Sequence, residues 1–555
     1  FPSTFIDLEE GAIYEDVEWK PRGWDNLNNA LLEGFRVGIS LQFRPGFYYK
    51  GNKREIDLNN NRSRRNEAGI RTRLAHEVYR RAGVPVSRTR YVWVNQNGTE
   101  MGLFLDIESP DNEWLARWGR DGNGSLYKAR WSYRGPFFIQ NDLLRGNESV
   151  YDALEDYEHC YLKKNRRDSN HSDLITMIRG LNAPALTGRV FAMETNGSEI
   201  GEQKGFYDSQ VDVPNILKKY GVDSVLANHD RGQQNHYLYQ DVSRDGRWET
   251  YPWDLDLTWD IGNRDLWNTL GQFPGGGPIT EDPAFTPDWW FYQAEPFFTR
   301  LMSIPEYREE YVTGVRDQLR TVFSERQLFR IVEQYGVDGQ AAFERDKVIW
   351  PQVSGGSLTS IAEGFKDRVK RARQAAFWRA RNEDLDGYAI PPVLSDGRTD
   401  PMVPGPGNLI QFHVNSLSAG SSNLSEGIDT VTLRYRLNGG NPQSAVMFRA
   451  ALETYDGDYR YFLAAQPEGT TIEYWFETVD DLGLTDRLPA SGSFQTEVVT
   501  DPTPSASQIT ISEIMYHSDL LGNEWIEIEN RSSRFVDISE WSLGDSSPEH
   551  RFEFP

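Results

Sequence analysis

VDSVLANHDRGQQNHYLYQDVSRDGRWETYPWDLD, residues 222–256, is the stretch whose reading decides the fold. Val222, Val225 and Leu226 stand at i, i+3 and i+4, one apolar face of a helix. The polar run Asn228-His229-Asp230-Arg231-Gly232 breaks that pattern. His236–Gln240 and residues 247–251 are aromatic-rich runs flanking Asp245-Gly246, a pair suited to a tight turn between antiparallel strands. The order predicted is therefore a helix end, a polar loop, a hairpin, and an acidic turn at Pro252-Trp253-Asp254-Leu255-Asp256.

That order has a chemical meaning. Phosphoryl transfer uses one carboxylate to orient a hydroxyl nucleophile, and an amide oxygen with a second carboxylate to hold a metal on the phosphates. Asp230 and Asn235 have the D-x-x-x-x-N spacing of a kinase catalytic loop, and Asp254 or Asp256 stands where the metal-binding Asp follows its hairpin. The spacing alone recurs by chance in a chain rich in Asp and Asn. The same residues also serve as ordinary turn and cap residues. The sequence of loop, hairpin and acidic turn is the more selective feature.

Composition bounds the rest. A chain of 555 residues exceeds a single core and implies two to four domains. Its 83 acidic and 59 basic residues give a net charge of −24, which argues against a nucleic-acid backbone or an anionic membrane as partner and favours a neutral or basic one. One cysteine, Cys160, excludes an intrachain disulfide and a cysteine-based zinc site. No apolar run approaches the ~20 residues that span a bilayer. The start at Phe1 leads us to expect that a leader segment precedes the sequence.

Along the chain, residues 12–14, 17–20, 36–43 and 53–58 read as strands, with turns at 21–23 and 45–46. Residues 66–82 read as a helix with Ile70, Leu74, Val78 and Ala82 on one face and a solvated face of arginines on the other. A hairpin, 91–94 with 101–107, ends at Glu108. Residues 271–278 read as an exposed loop, and 296–320, 325–335 and 365–381 as amphipathic helices. Residues 391–407 and 501–507 have linker composition, and 408–500 has the short alternating strands of an immunoglobulin or fibronectin type sandwich.

LAHEVYRRAGVPVSRTRYVWVNQNGTEMGLFLDIESPDNEWL (74–115), SLYKA (125–129), NHDRGQQNHYLY (228–239) and YPWDLDLTWD (251–260) together resemble the family of spore-coat protein H (CotH) kinase-like proteins. The resemblance implies an α+β fold, a bilobal atypical protein-kinase-like domain over 1–390, followed by all-β sandwich modules. It implies Asp230 as the catalytic-loop residue, Asn235 and Asp254 as metal ligands with Asp256 able to exchange with Asp254, and Glu108 in the segment joining two lobes. The family's Arg-Gly followed by a lysine-rich strand corresponds to Arg22-Gly23 and, after an insertion, residues 50–56. For the phosphate-pairing lysine, Lys53 is the first choice, since it begins a strand before the arginine-rich helix; Lys50 and Lys128 are the alternatives. No G-x-G-x-x-G covers the phosphates. Residues 508–555, with Ile-Ser-Glu-Ile at 511–514 and Trp-Ile-Glu-Ile at 525–528, resemble the start of a lamin-tail domain that stops short.

The function expected is ATP-dependent transfer to Ser or Thr hydroxyls of a protein substrate, with Mg or Mn, by a secreted or bacterial cell-surface protein. An adhesive surface protein using an idle kinase-like fold is the alternative, decided by turnover of ATP. A hydrolase using His229 and His236 with Asp230 is a third reading. It is disfavoured because the two histidines lie across a loop rather than at ligand spacing on a helix.

Overall fold

The computed structural model describes residues 2–22, 36–50, 53–60, 69–129, 154–165, 170–181, 197–226, 228, 235–259, 301–302, 304–351, 356–382, 391–418, 428–450, 457–505, 507–515, 525–532, 536–538, 541–544 and 551–553. They form two compact units, 1–388 and 389–555. The loop expected at 271–278 and the start of the helix expected at 296 lie outside the described residues.

In the first unit, β1 (Pro2–Asp7), β2 (Ala12–Arg22), β3 (Gly38–Gln42), β4 (Glu55–Asn59), β5 (Thr89–Gln96) and β6 (Thr99–Glu108) form one antiparallel sheet in the order β1-β2-β3-β4-β6-β5. The strand β1 was not anticipated, and the two short runs expected within 12–20 are one strand. Asp16 sits in it at φ 55, and the strand runs on through Pro21 and Arg22, which pair with Ile39 and Gly38. Helix α1 (Ile70–Arg81) lies between β4 and β5 in the chain. Its arginines correct the expectation of a solvated face. Arg71 is buried, Arg73 stacks over Tyr335 and Tyr91 at 3.9 and 4.5 Å, and only Arg80 and Arg81 pair with Glu77 at the surface.

A second sheet runs β10-β9-β7-β8, from β7 (Ser125–Ala129), β8 (Tyr161–Lys163), β9 (His236–Gln240) and β10 (Trp248–Pro252). Short helix α2 (Asn112–Arg117) leads into it from β6. Leu105, Ile107, Trp114, Leu126, Tyr237, Tyr251 and Trp253 make one buried cluster that joins the end of β6 to this sheet. Each such side chain contributes roughly 1.5–3 kcal/mol by leaving water. Around it stand α3 (Leu154–Cys160), α4 (Ser172–Leu181), α5 (Gly197–Gln210), α6 (Val213–Val225), α7 (Pro305–Arg320), α8 (Glu325–Ile349) and α9 (Leu358–Asn382).

The helix expected to end at Tyr335 continues through Gly336 and Gly339 to Ile349. These glycines do not stop it because they are packing positions. A Cβ on Gly336 would stand 2.9 Å from that of Ala362, and one on Gly339 would stand 2.5 Å from Leu358 Cδ2. The long α8 then delivers Asp346 to the first sheet, where it takes a bidentate, buried pair from Arg36 at 2.5 and 2.9 Å and accepts from Leu103 N–H at 2.8 Å.

The second unit is β-rich. One sheet runs β11-β12-β16-β15 and the other β14-β13-β17-β18, with β19 added on β17. The strands are β11 (Val393–Asp400), β12 (Ile410–Leu417), β13 (Ile428–Leu437), β14 (Gln443–Val446), β15 (Phe448–Arg449), β16 (Gly457–Leu463), β17 (Thr471–Asp480), β18 (Thr485–Leu488) and β19 (Phe494–Glu497). Alternate residues Phe412, Val414, Val431, Leu433, Ile472 and Phe476 share one core. The stretch expected to be a linker, 391–407, contains β11, which pairs with β12. Its prolines, Pro391, Pro392, Pro401, Pro404 and Pro406, all lie outside that strand and leave its ladder intact. Past residue 505, β20 (Ile509–Met515) pairs with β21 (Trp525–Asn530), and β22 (Ser542–Gly544) with β23 (Arg551–Glu553).

Candidate active site

The helix anticipated at 222–226 is the last turn of α6. Asp212 caps its start by accepting from Asn215 N–H at 3.1 Å, Pro214 occupies the first turn, and Val222, Val225 and Leu226 are buried. Inside it Lys219 and Asp223 form a buried ion pair at 2.7 Å. Asp223 Oδ1 also accepts from Tyr79 Oη and, at 2.8 Å, from Asn228 Nδ2, while Asn228 N–H donates to Asp223 O at 2.9 Å. Asn228 is thus fixed two residues before Asp230. Asp230 and His229 themselves lie outside the described residues.

The hairpin forms in the register that its aromatic alternation implies, with His236 opposite Pro252 and Gln240 opposite Trp248. Its connection is wider than a tight Asp-Gly turn. Residues 241–247 form the loop, because the Asp241 carboxylate accepts from Ser243 N–H at 3.1 Å and Arg244 N–H at 3.2 Å and folds the chain earlier. At the open end Trp253 N–H donates to Asn235 O at 2.9 Å, which places Asn235 beside the chain that carries Asp254. Both residues have left-handed backbones, φ 61 for Asn235 and φ 53 for Asp254. Asp254 is exposed and Asp256 half-buried, on either side of a fully buried Leu255.

Lys128, on β7, meets this mouth. Its ammonium stands 4.5 Å from the Trp253 ring. Burial pushes its pKa down to about 8, Lys164 and Arg22 push the same way, and Asp254 and Asp57 resist. Across from it, Glu55 and Asp57 occupy alternate positions of β4 and so share a face. Arg22 Nη1 lies 3.4 Å from Asp57 and Lys164 Nζ 3.8 Å from Glu55, and Ser109 Oγ is 3.4 Å from both carboxylates. The Tyr237 hydroxyl is buried beside them without a hydrogen-bond partner among the described residues, and burial with the nearby Asp57 and Glu55 keeps it a neutral phenol.

The structure therefore brings together Arg22, Lys128, Asn235 and Asp254. Lys53, Lys50 and Glu108 are held by other partners. Lys53 pairs with Tyr49 through the backbone, with its ammonium 5.9 Å from that ring, and Lys50 lies 2.5 Å from Glu10. Glu108 is engaged by Arg117 and by Arg88 N–H at 3.0 Å, so its carboxylate braces the chain between β6 and α2. Glu55, Asp57, Ser109, Lys164 and Tyr237 escaped the sequence reading. The E-x-D alternation of β4 is the one signal that pointed to two of them.

The donor set suits an anion held by a metal. Lys128, the buried Arg22 Nη1 and the orphaned Tyr237 hydroxyl are donors for phosphate oxygens, and Asn235 and Asp254 are oxygen ligands of the kind Mg or Mn takes.

The family model described as CotH kinase protein matches residues 24–381, and that of the Lamin Tail Domain matches 502–555. The inner spore coat protein H of Bacillus subtilis (strain 168) is 24% identical over 273 residues, which cover 49% of this chain and 64% of that protein, less than two thirds of its length. Among solved structures, an uncharacterized protein from Listeria monocytogenes EGD-e aligns with TM-score 0.16 at 13% identity, over 23% of this chain and 11% of that one. The Pseudomonas fluorescens alkylpurine DNA glycosylase bound to DNA aligns with TM-score 0.13 at 12% identity, over 35% and 54%. At those scores neither bears on the fold. With its family model matched over more than half of its length, the chain belongs to the CotH kinase protein family.

Proposed function

We propose that this protein transfers the γ-phosphoryl group of ATP to a hydroxyl of a protein substrate, in a bilobal, atypical kinase-like domain with its site between the two sheets of the first unit. The order β4, α1, β5, β6 followed by a connecting segment is that of a kinase amino-terminal lobe. The observation that carries the reading is the mouth of the β9–β10 hairpin, where Trp253 N–H ties Asn235 to the turn bearing Asp254 beside Lys128. Asn235 and Asp254 hold the metal, with Asp256 as the neighbouring carboxylate, and Asp230 orients the acceptor hydroxyl. Mg or Mn, when bound, neutralises charge on the phosphate oxygens.

The phosphate cation is assigned to Lys128 with Arg22 rather than to Lys53. Strand β4 reads Glu-Ile-Asp-Leu-Asn and carries no lysine where a kinase β3 would. Its two carboxylates hold Arg22 and Lys164 in place, so the cationic group arrives from β2 and β7. Lys128, half-desolvated, gives a stronger interaction with phosphate than a fully hydrated ammonium. The relative named a spore coat protein supports a surface location, and the lamin-tail and sandwich modules suit attachment or spacing there.

The test is incubation with labelled ATP and Mg or Mn, wild type beside Asp230→Ala. Transfer by the wild type that falls by several orders of magnitude in the variant is expected. Equal transfer by both removes Asp230 from the site. No transfer and no nucleotide binding by the wild type favours the adhesive reading.

A further inference from the structure

Helix α1 reaches both halves of this site through two buried polar side chains. We propose that Arg71 and Tyr79 are positioning residues for the reaction: Arg71 sets the turn that carries Asp254, and Tyr79 sets the brace from which the Asp230 loop departs. The inference rests on the reading given under Proposed function.

Arg71 is 1% exposed. Its Nη1 donates to Thr258 O and, at 3.5 Å, to Trp259 O, while Trp259 Nε1 donates back to Arg71 O at 3.3 Å. Trp259 is fully buried at φ 63, a backbone region that a bulky side chain occupies only when its surroundings enforce it. Three things enforce it here. Its N–H donates to Leu226 O at 2.5 Å, its ring packs edge-on against Phe365 at 5.9 Å, and Arg71 grips its backbone over that same Phe365 ring at 5.7 Å. Asn235 and Asp254 share the left-handed conformation, so three non-glycine residues with positive φ bracket the hairpin mouth. Thr258 Oγ1 donates to Leu255 O at 2.8 Å, which passes the restraint to the residue next to Asp254.

Tyr79 lies on the same helix, roughly 12 Å along its axis. It is fully buried and donates to Asp223 Oδ1, the oxygen that also holds Asn228. One rigid rod thus touches the chain just after the metal-binding turn and just before the catalytic loop. Among the described residues no Lys–Glu pair does this work. The lone acidic residue of α1, Glu77, faces outward to Arg80 and Arg81, and β4 has no lysine.

The experiment uses the full chain with Arg71→Gln, Arg71→Lys and Tyr79→Phe, read by segment-resolved amide hydrogen exchange and by the Mg dependence of transfer. Arg71→Gln is expected to speed exchange over 253–259 but not over 223–228, and to raise the Mg concentration for half-maximal transfer about tenfold or more with kcat recovered at saturation. Arg71→Lys, which keeps one donor toward the two carbonyls, should restore part of that affinity. Tyr79→Phe is expected to speed exchange over 223–228 and lower kcat about tenfold with the Mg requirement unchanged. Wild-type exchange in both segments, or an equal loss of kcat and Mg affinity in both variants, overturns the proposal and leaves two core contacts. If Arg71→Gln does not fold, Arg71→Lys carries the same two readouts. A wild type that neither binds Mg-nucleotide nor transfers phosphate defeats the functional reading by itself, while the exchange pattern still decides whether α1 sets the two segments.

Discussion

Replacing Lys128 by Met should stabilise the protein and weaken its hold on nucleotide. Burial moves the lysine from its ordinary 10.5 to about 8. At about 1.4 kcal/mol per unit that is roughly 3 kcal/mol against the charged form. The side chain is half-buried, and solvent screening reduces this to about 1–2 kcal/mol. The sign follows from proton binding. Below about pH 8 both folded and unfolded chains carry the proton, and the penalty is present in full. Between about 8 and 10.5 the unfolded chain binds a proton that the folded one does not, so stability rises with pH. Above 10.5 neither is charged and the penalty is gone. Wild type should gain stability relative to Lys128→Met between pH 7 and 10, measured by urea unfolding, with the variant the more stable at pH 7. Calorimetry with Mg-ATP at pH 7 should show a loss of about 10- to 100-fold in affinity, the worth of one charge-assisted hydrogen bond. Lys128→Arg should hold its affinity above pH 8, where wild type loses it, because the guanidinium stays charged. A variant less stable than wild type at pH 7, with unchanged nucleotide affinity, would refute the argument and make Lys128 a structural residue rather than a phosphate donor.

Three further outcomes are expected. Thermal stabilisation by ATP should require Mg or Mn and largely vanish in Asp254→Ala; persistence in that variant would promote Asp256. Asp346→Ala removes the buried carboxylate to which Arg36 and Leu103 N–H donate, and should cost about 3–5 kcal/mol in the unfolding of the first unit. Gly339→Ala should destabilise by about 1–3 kcal/mol in spite of the roughly 1 kcal/mol that alanine gains over glycine within a helix, because its Cβ would stand 2.5 Å from Leu358 Cδ2 and 3.0 Å from Tyr91 Cε2. A rise in melting temperature for Gly339→Ala would show that α8 and α9 can separate to admit a methyl group.

What the sequence made legible is what local chemistry determines. The end of α6, the β9–β10 hairpin and the acidic turn follow from apolar spacing, alternation and a polar break, and each formed within a residue or two of where it was expected. The arginines of α1 and the C-terminal extent of α8 were misread for the same reason. Local composition treats an arginine as solvated and a glycine as a stop, whereas here Arg71 meets Trp259 and Gly339 meets Leu358, partners far away in the chain. The strand β11 was hidden by the prolines on either side of it, and β1 by its position at the sheet edge, where its side chains remain largely exposed.

The proposed phosphate cation depends on such long-range placement. A lysine at the head of β4 satisfied every local criterion, yet Lys53 lies on the Tyr49 turn. Strand β4 instead places Glu55 and Asp57 on one face beside Arg22 and Lys164, and two carboxylates near a triphosphate would repel it unless neutralised. Arg22 and Lys164 neutralise them, which leaves Lys128 as the cation opposed by no carboxylate of β4 at ion-pair distance among the described residues. The net field at that point is therefore set by four strands that meet only in the folded chain. Substituting Asp57 by Asn tests this balance. It releases Arg22 from its ion pair and removes one of the charges that hold Lys128 protonated, so the lysine should titrate lower while nucleotide binding at pH 6.5, where it is still charged, tightens. Weaker binding at that pH would mean that Asp57 orients Arg22 rather than restrains it.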